Sequence, residues 1–193
     1  MASWVSEAAP AARRRGGPPP AIALVAILGL IFGIVLIASQ VLGPASPPAA
    51  VTAPPAGGAA SATVDHVIQV LGSQRLQAAR TQRPYRPPET VALARVPRDV
   101  LQVVLPADPD HGFVVVYELP TEATAEDVGR EYAAYIASGP GRVQFPTDAR
   151  FTLRRVGQTL VFFAWSPANW PDPRSAEIAT VLDTIGEAIP VPS

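Results

Sequence analysis

The sequence predicts an α+β domain, a mostly antiparallel sheet packed by two or three helices, joined by a Pro/Ala-rich tether to a single-pass N-terminal transmembrane helix. Three observations carry that expectation: an uncharged apolar run over residues 21–43, an uncharged proline-rich stretch after it, and a remainder in which helical and strand periodicities alternate between turn signals. At about 100–200 residues per domain, a chain of 193 residues holds one folded unit plus extras.

Residues 1–20 carry Pro10, Pro18, Pro19 and Pro20 and little apolar content beyond alanine, Trp4 and Val5. Such a stretch buries too little surface to offset its ordering entropy, so a disordered tail is expected. Ala21 to Gly43 reads AIALVAILGLIFGIVLIASQVLG, without a charge and with Gln40 as its one strongly polar residue. A helix over this run is about 34 Å long at about 1.5 Å per residue, enough for a hydrocarbon core of about 30 Å. Arg13, Arg14 and Arg15 precede it, and the next arginine is Arg75. That asymmetry places the N-terminus in the cytoplasm and the C-terminal domain outside the cell membrane. A cleaved export signal is the alternative, but the apolar run exceeds its usual length of about 7–15 residues and Gly43-Pro44-Ala45 is a poor cleavage site. Gly29 and Gly33 form G-x-x-x-G, a spacing that lets two anchors approach and makes a homodimer possible. A tail this short leaves no folded inner module, which argues against a membrane kinase or anti-sigma factor.

Residues 44–62 read PASPPAAVTAPPAGGAASA, with no charge, and are expected to be a flexible spacer. It reaches about 59 Å as polyproline II and about 24 Å as a coil. Residues 63–193 then read as the extracytoplasmic domain. Val64, Val67, Ile68 and Leu71 recur at helical spacing and predict a helix from Val64 to about Arg80, weakened at Gly72 and followed by a loop at Pro84, Pro87 and Pro88. Val100–Leu105 and Gly112–Leu119 are β-branched runs separated by the turn composition Ala107-Asp-Pro-Asp-His111. The second run scarcely alternates, as in a central strand covered on both faces. Thr124 with Asp127 predicts a capping box, and Gly139-Pro140 a stop, for a helix whose inner face is Ala125, Val128, Tyr132, Tyr135 and Ile136. Arg142–Phe145 suggests a short edge strand. Phe151–Val156 and Thr159–Trp165 flank Gly157-Gln158, a type II′ hairpin. Asp172-Pro173 caps a last helix with the stripe Ile178, Val181, Leu182, Ile185 and Ile189. The order hairpin–helix–hairpin–helix invites a duplicated ββα unit, but the two halves share no alignable residue motif.

The chain has no cysteine and no lysine, so its 15 basic residues are all arginine. That excludes a disulfide framework, Cys-ligated metals, a thiol nucleophile, Schiff-base chemistry and a P-loop lysine. A net charge of −1 gives no reason to expect nucleic acid. The total conceals a split: residues 1–43 hold three arginines and one glutamate, the remainder twelve arginines and fifteen acids. The bias to alanine, glycine, proline and arginine suits a GC-rich, bacterial genome.

Only His66 and His111 are available as imidazole ligands, so no catalytic metal or cofactor site is expected. Asp108, Asp110 and His111 lie close enough to hold an ion weakly, but turn chemistry accounts for them. No G-x-S-x-G elbow is present, and Gly139-Pro-Gly-Arg142 follows a helix instead of opening one, so it is a stop and not a phosphate loop. Glu118, Glu122, Glu126, Asp127 and Glu131 are absorbed by the dipole of the helix they open. Two features point outward. Arg75, Arg80, Arg83 and Arg86, with Tyr85 among them, occur with no acid between Asp65 and Glu89 and suit an anionic envelope polymer or an envelope protein. Trp170, between Asn169 and Pro171, is a loop aromatic of the kind that recognises a glycan or peptide, whereas Trp165 ends an apolar strand and belongs to the core. The sequence therefore suggests a membrane-anchored binding or scaffolding module of the bacterial envelope with no catalytic set. A sensory or small-ligand domain signalling through anchor dimerisation is the alternative, and a carboxylate-based enzyme a third.

Overall fold

The computed structural model describes residues 56–192. The expected transmembrane helix, with Gly29 and Gly33, lies outside them, as do the tail and most of the tether. Among the described residues no helix is long and apolar enough to cross a membrane.

The fold is α+β. Its sheet has six strands: β1 (Ala78–Arg80), β2 (Arg98–Val103), β3 (Phe113–Glu118), β4 (Arg150–Val156), β5 (Thr159–Trp165) and β6 (Glu187–Ala188). Their spatial order is β1-β2-β3-β5-β4-β6, and every neighbouring pair is antiparallel. Helix α1 (Gly58–Ser73) comes first, α2 (Glu122–Ala137) and the single turn α3 (Gly139–Arg142) lie between β3 and β4, and α4 (Arg174–Leu182) precedes β6. The pleat divides the core in two. Val114, Val116, Val161 and Phe163 meet Val64, Val67 and Leu71 of α1 and Ile178 and Leu182 of α4 on one face. Val115, Tyr117, Leu160 and Phe162 meet Ala125, Tyr132, Ala133 and Ile136 of α2 on the other. Because both faces are covered, β3 and β5 are buried along nearly their whole length, which is why neither alternates in sequence.

Several boundaries differ from expectation for identifiable reasons. Helix α1 begins at Gly58, inside the stretch read as tether, because Glu118 at the end of β3 accepts hydrogen bonds from Gly57 N (2.6 Å) and Ala60 N (3.2 Å) and so caps the helix from a distant strand. It ends at Ser73 in a Schellman arrangement: Leu76 N donates to Leu71 O, Arg75 N donates to Gly72 O, and Arg75 takes the left-handed conformation at φ 62°. Residues expected at the helix end, Ala78–Arg80, are instead the edge strand β1.

The cap of α2 is Thr121, whose Oγ1 accepts from Thr124 N at 3.1 Å; the expected cap Thr124 lies inside the first turn. Arg142–Phe145 forms no strand, because Ser138 starts a second helical turn by accepting from Gly141 N. In α4, Asp172 does cap as expected, accepting from Arg174 N at 2.9 Å. The apolar stripe continues through Ile185 and Ile189, but the helix stops at Leu182: Gly186 turns at φ 49° and β6 pairs with β4. The hairpin at Gly157 has φ 55° there and no positive φ at Gln158, as a type II′ turn requires.

Candidate functional site

A cleft of about 220 Å³ opens on the α2 face of the sheet, between the proline loop after β1 and the turn after α3. Its walls carry five rings: Tyr85, His111, Phe113, Phe145 and Trp170. Pro87, Pro88 and Pro146 form the edges, and Arg86 and Gln144 bring polar groups to the mouth. Among the described residues no carboxylate, serine or threonine lines it.

Each wall is held by a different device. Prolines exclude regular structure from residues 84–88, so that loop takes its shape from Glu89. The Glu89 side chain is 2% exposed and accepts from Arg86 Nε (2.6 Å), Arg98 Nη1 (2.8 Å) and the Tyr117 hydroxyl (2.7 Å). The Tyr132 hydroxyl of α2 donates to Pro88 O at 3.0 Å and pins the loop from beneath. Tyr85 is thereby laid flat on Phe113, with ring centroids 4.3 Å apart and planes 11° apart.

The second wall is the loop after β5. Asp148 accepts from Ser166 Oγ (2.6 Å), Ala168 N (2.7 Å) and Asn169 Nδ2 (3.0 Å), and these bonds, led by the Ser166 hydroxyl, hold its carboxyl below the ordinary 3.8. Trp170 N donates to Ser166 O at 2.9 Å, which fixes the indole at the cleft. There it stacks on His111, with centroids 4.5 Å apart and planes 23° apart. His111 is oriented through Nδ1, 2.6 Å from Asp108 Oδ1. Across the mouth, Gln144 Nε2 donates to the Tyr135 hydroxyl at 2.6 Å and to Pro140 O at 2.9 Å. Phe145 meets Phe151 edge-on at 4.9 Å.

The tyrosines around the cleft titrate late. Burial, and then the charge of Glu89, push the Tyr85 hydroxyl up to about 12. Burial also raises Tyr117 and Tyr132, with the Tyr132 charge and then Glu89 acting on Tyr117, and Glu89 acting on Tyr132. All three remain neutral hydrogen-bonding groups at physiological pH.

The structure brings Tyr85, Arg86 and Trp170 of the expected recognition residues to one cleft and scatters the rest. Arg80 lies on β1 and pairs with Asp65 (3.1 Å) and Asp99 (3.6 Å). Arg83 pairs with Asp110 at 2.8 Å and lies over the Phe113 ring; that bond, and then the Arg83 charge, draw the Asp110 carboxyl down. Arg86 pairs with Glu89, and Arg75 sits in the helix-ending turn. Arg80, Arg83 and Arg86 of the run are therefore engaged in ion pairs, with Glu89 shared between Arg86 and Arg98, and Arg75 has no ion pair among the described residues. Asp110 pairs with Arg83 and Asp108 Oδ1 with His111, whereas Asp108 Oδ2 is buried without a hydrogen-bond partner among the described residues; no three potential metal ligands converge among those residues.

Glu89, Phe113, Gln144 and Phe145 are site residues that sequence reasoning missed. The one sequence signal was Glu89 itself, the acid that closes a run of four arginines. Comparison with protein-family models, with curated proteins and with solved structures gives no match for this chain.

Proposed function

We propose that the chain is a membrane-anchored, extracytoplasmic binding module, and that the cleft of Tyr85, His111, Phe113, Phe145 and Trp170 is its recognition surface. The observation that carries the reading is the cleft's chemistry: stacked rings held by partly buried hydrogen bonds, in a concavity whose described lining holds no carboxylate, serine or threonine. Rigid aromatics bind at low entropic cost, which suits recognition. Support for the anchored, outward-facing arrangement is the uncharged run at residues 21–43 with its preceding arginines.

Two measurements test the reading. The chain lacks cysteine, so Ser73→Cys and Ser3→Cys supply unique thiols for a membrane-impermeant maleimide on intact cells; labelling of position 73 and protection of position 3 are expected. A photo-crosslinking residue at position 144 should give adducts in native membranes that Trp170→Ala abolishes. Equal labelling of both thiols removes the topology. Adducts that persist unchanged in Trp170→Ala remove the cleft.

A further inference from the structure

We infer that a second concavity, beside Arg142, is a binding site for a small monocarboxylate with an apolar body. The site is separate from the aromatic cleft and does not rest on the binding-module reading.

The pocket has a volume of about 420 Å³, within the roughly 300–1,000 Å³ of small-molecule sites. Three segments distant in sequence enclose it on the α2 face of the sheet. Ile136 comes from the end of α2, Ala149 and Phe151 from the entry to β4, and Val191 and Pro192 from the chain after β6. Among the described residues, Arg142 supplies the one charge in this lining, and every other lining residue is apolar.

Neutral groups hold the guanidinium in place. Its Nη1 donates to Ala149 O at 3.2 Å and its Nη2 to Thr147 O at 2.5 Å, and Cζ lies 5.4 Å from the centre of the Phe151 ring. Two carbonyls and a ring fix the plane of the fork without supplying a negative charge. A guanidinium has five N–H groups and these bonds use two, which leaves three donors without a partner among the described residues. No acid answers the charge either. On β4, Arg155 pairs with Glu122 and Glu187 and Arg154 faces Asp183, whereas Arg142 has no carboxylate within 4.0 Å among the described residues. Asp148, the nearest acid in sequence, directs its carboxylate to Ser166, Ala168 and Asn169. A half-buried cation facing apolar walls has given up hydration that an anion restores.

The chemistry of the occupant follows from these contacts. A guanidinium fork matches the two oxygens of a carboxylate in shape, and such charge-assisted bonds are about twice as strong as neutral ones. One cation balances one negative charge, so the second charge of a phosphate monoester finds no partner here. The apolar walls take a hydrocarbon body in place of water.

The test is saturation-transfer NMR on the full chain in nanodiscs, with benzoate as the probe and empty nanodiscs as the blank. Saturable binding is expected. Benzamide, which keeps the ring and the shape but not the charge, should bind at least about tenfold more weakly. Arg142→Met should cause a similar loss. Because Arg142 also supports the loop at residues 147–149, Ala137→Phe is the second variant. It fills the pocket from the end of α2, leaves the bonds of Arg142 in place, and should abolish binding with the near-UV circular dichroism unchanged. Trp170→Ala should leave benzoate binding at its parent value. Equal binding of benzoate and benzamide, or parent affinity in Arg142→Met, overturns the role of the cation. Tighter binding of phenyl phosphate overturns the monocarboxylate class. Loss of binding in Trp170→Ala but not in Ala137→Phe moves the ligand to the aromatic cleft and overturns the site. Absence of benzoate binding to the full chain overturns the free ligand, and its appearance once a short Gly/Ser tail follows Ser193 identifies the terminal carboxylate as the occupant. Photo-adducts from position 144 are read separately, so the pocket and the binding module fail independently.

Discussion

Replacing Glu89 by glutamine tests whether one buried carboxylate organises the cleft wall. The amide keeps the shape and one acceptor but removes the charge and aims an N–H₂ at guanidinium donors. The Arg98 side chain is 17% exposed, so it loses a partly buried partner, for which breaking a pair costs about 3–5 kcal/mol at full burial. The pair with Arg86 counts for little, because that side chain is 37% exposed and its charge is screened. Adding a weakened bond from the Tyr117 hydroxyl, we expect about 3 kcal/mol of destabilisation. For a folded unit of roughly 140 residues that lowers Tm by about 10 °C. The assay is thermal unfolding of the full chain in detergent micelles, followed by near-UV circular dichroism. Arg86→Ala is the control and should cost less than about 1 kcal/mol. A cycle with Arg98→Met should show coupling of at least about 1.5 kcal/mol, since removing both charges abolishes the orphaned guanidinium. If Glu89→Gln unfolds within about 1 kcal/mol of the parent, or adds independently to Arg98→Met, the carboxylate is not the organiser and the reasoning fails.

Three further expectations follow from the same contacts. Arg75 holds a left-handed position that glycine occupies without strain, so Arg75→Gly should stabilise the chain by about 1 kcal/mol; an unchanged or lower Tm would show that its side chain has a compensating contact. Tyr85 ionises at 10.0 when exposed and at about 12 when folded, so its contribution is complete below pH 10.0 and lost as pH rises through about 12. The shifts at Tyr117 and Tyr132 act in the same direction, and absorbance at tyrosinate wavelengths should therefore rise cooperatively with unfolding, not before it. Glu118→Ala removes the tertiary cap of α1 and should cost about 1 kcal/mol, with faster hydrogen exchange confined to the first turn of that helix; uniform exchange across α1 would contradict the capping role.

What the sequence made legible is what short-range physics controls. The two central strands, the type II′ hairpin and the Asp172 cap follow from composition within a few residues, and each is present. The end of α1 shows where that reach stops. Gly72 and the apolar Leu76 are the local signs of a Schellman end, but the left-handed residue is an arginine, and an arginine carries no such signal. Its beginning is less legible still, because the cap is a glutamate about 60 residues away in sequence whose position depends on β3 already being in the sheet.

The arginine run shows why a site is harder to read than a fold. Within its own window it carries four cations and no acid before Glu89, a pattern that by itself predicts a basic surface. Asp65, Asp99, Asp110 and Glu89 then meet Arg80, Arg83 and Arg86 through strand pairing and loop closure. The three paired arginine side chains stay 37–50% exposed, so their charge is divided between pairing and solvent. On the reading proposed above, recognition falls to the aromatic lining of the cleft, where Tyr85 stacks on Phe113 and Trp170 on His111. In a chain whose only cations are arginines, long and forked enough to find acids across a turn or a strand, clustered positive charge in sequence is thus a weak guide to an anionic partner.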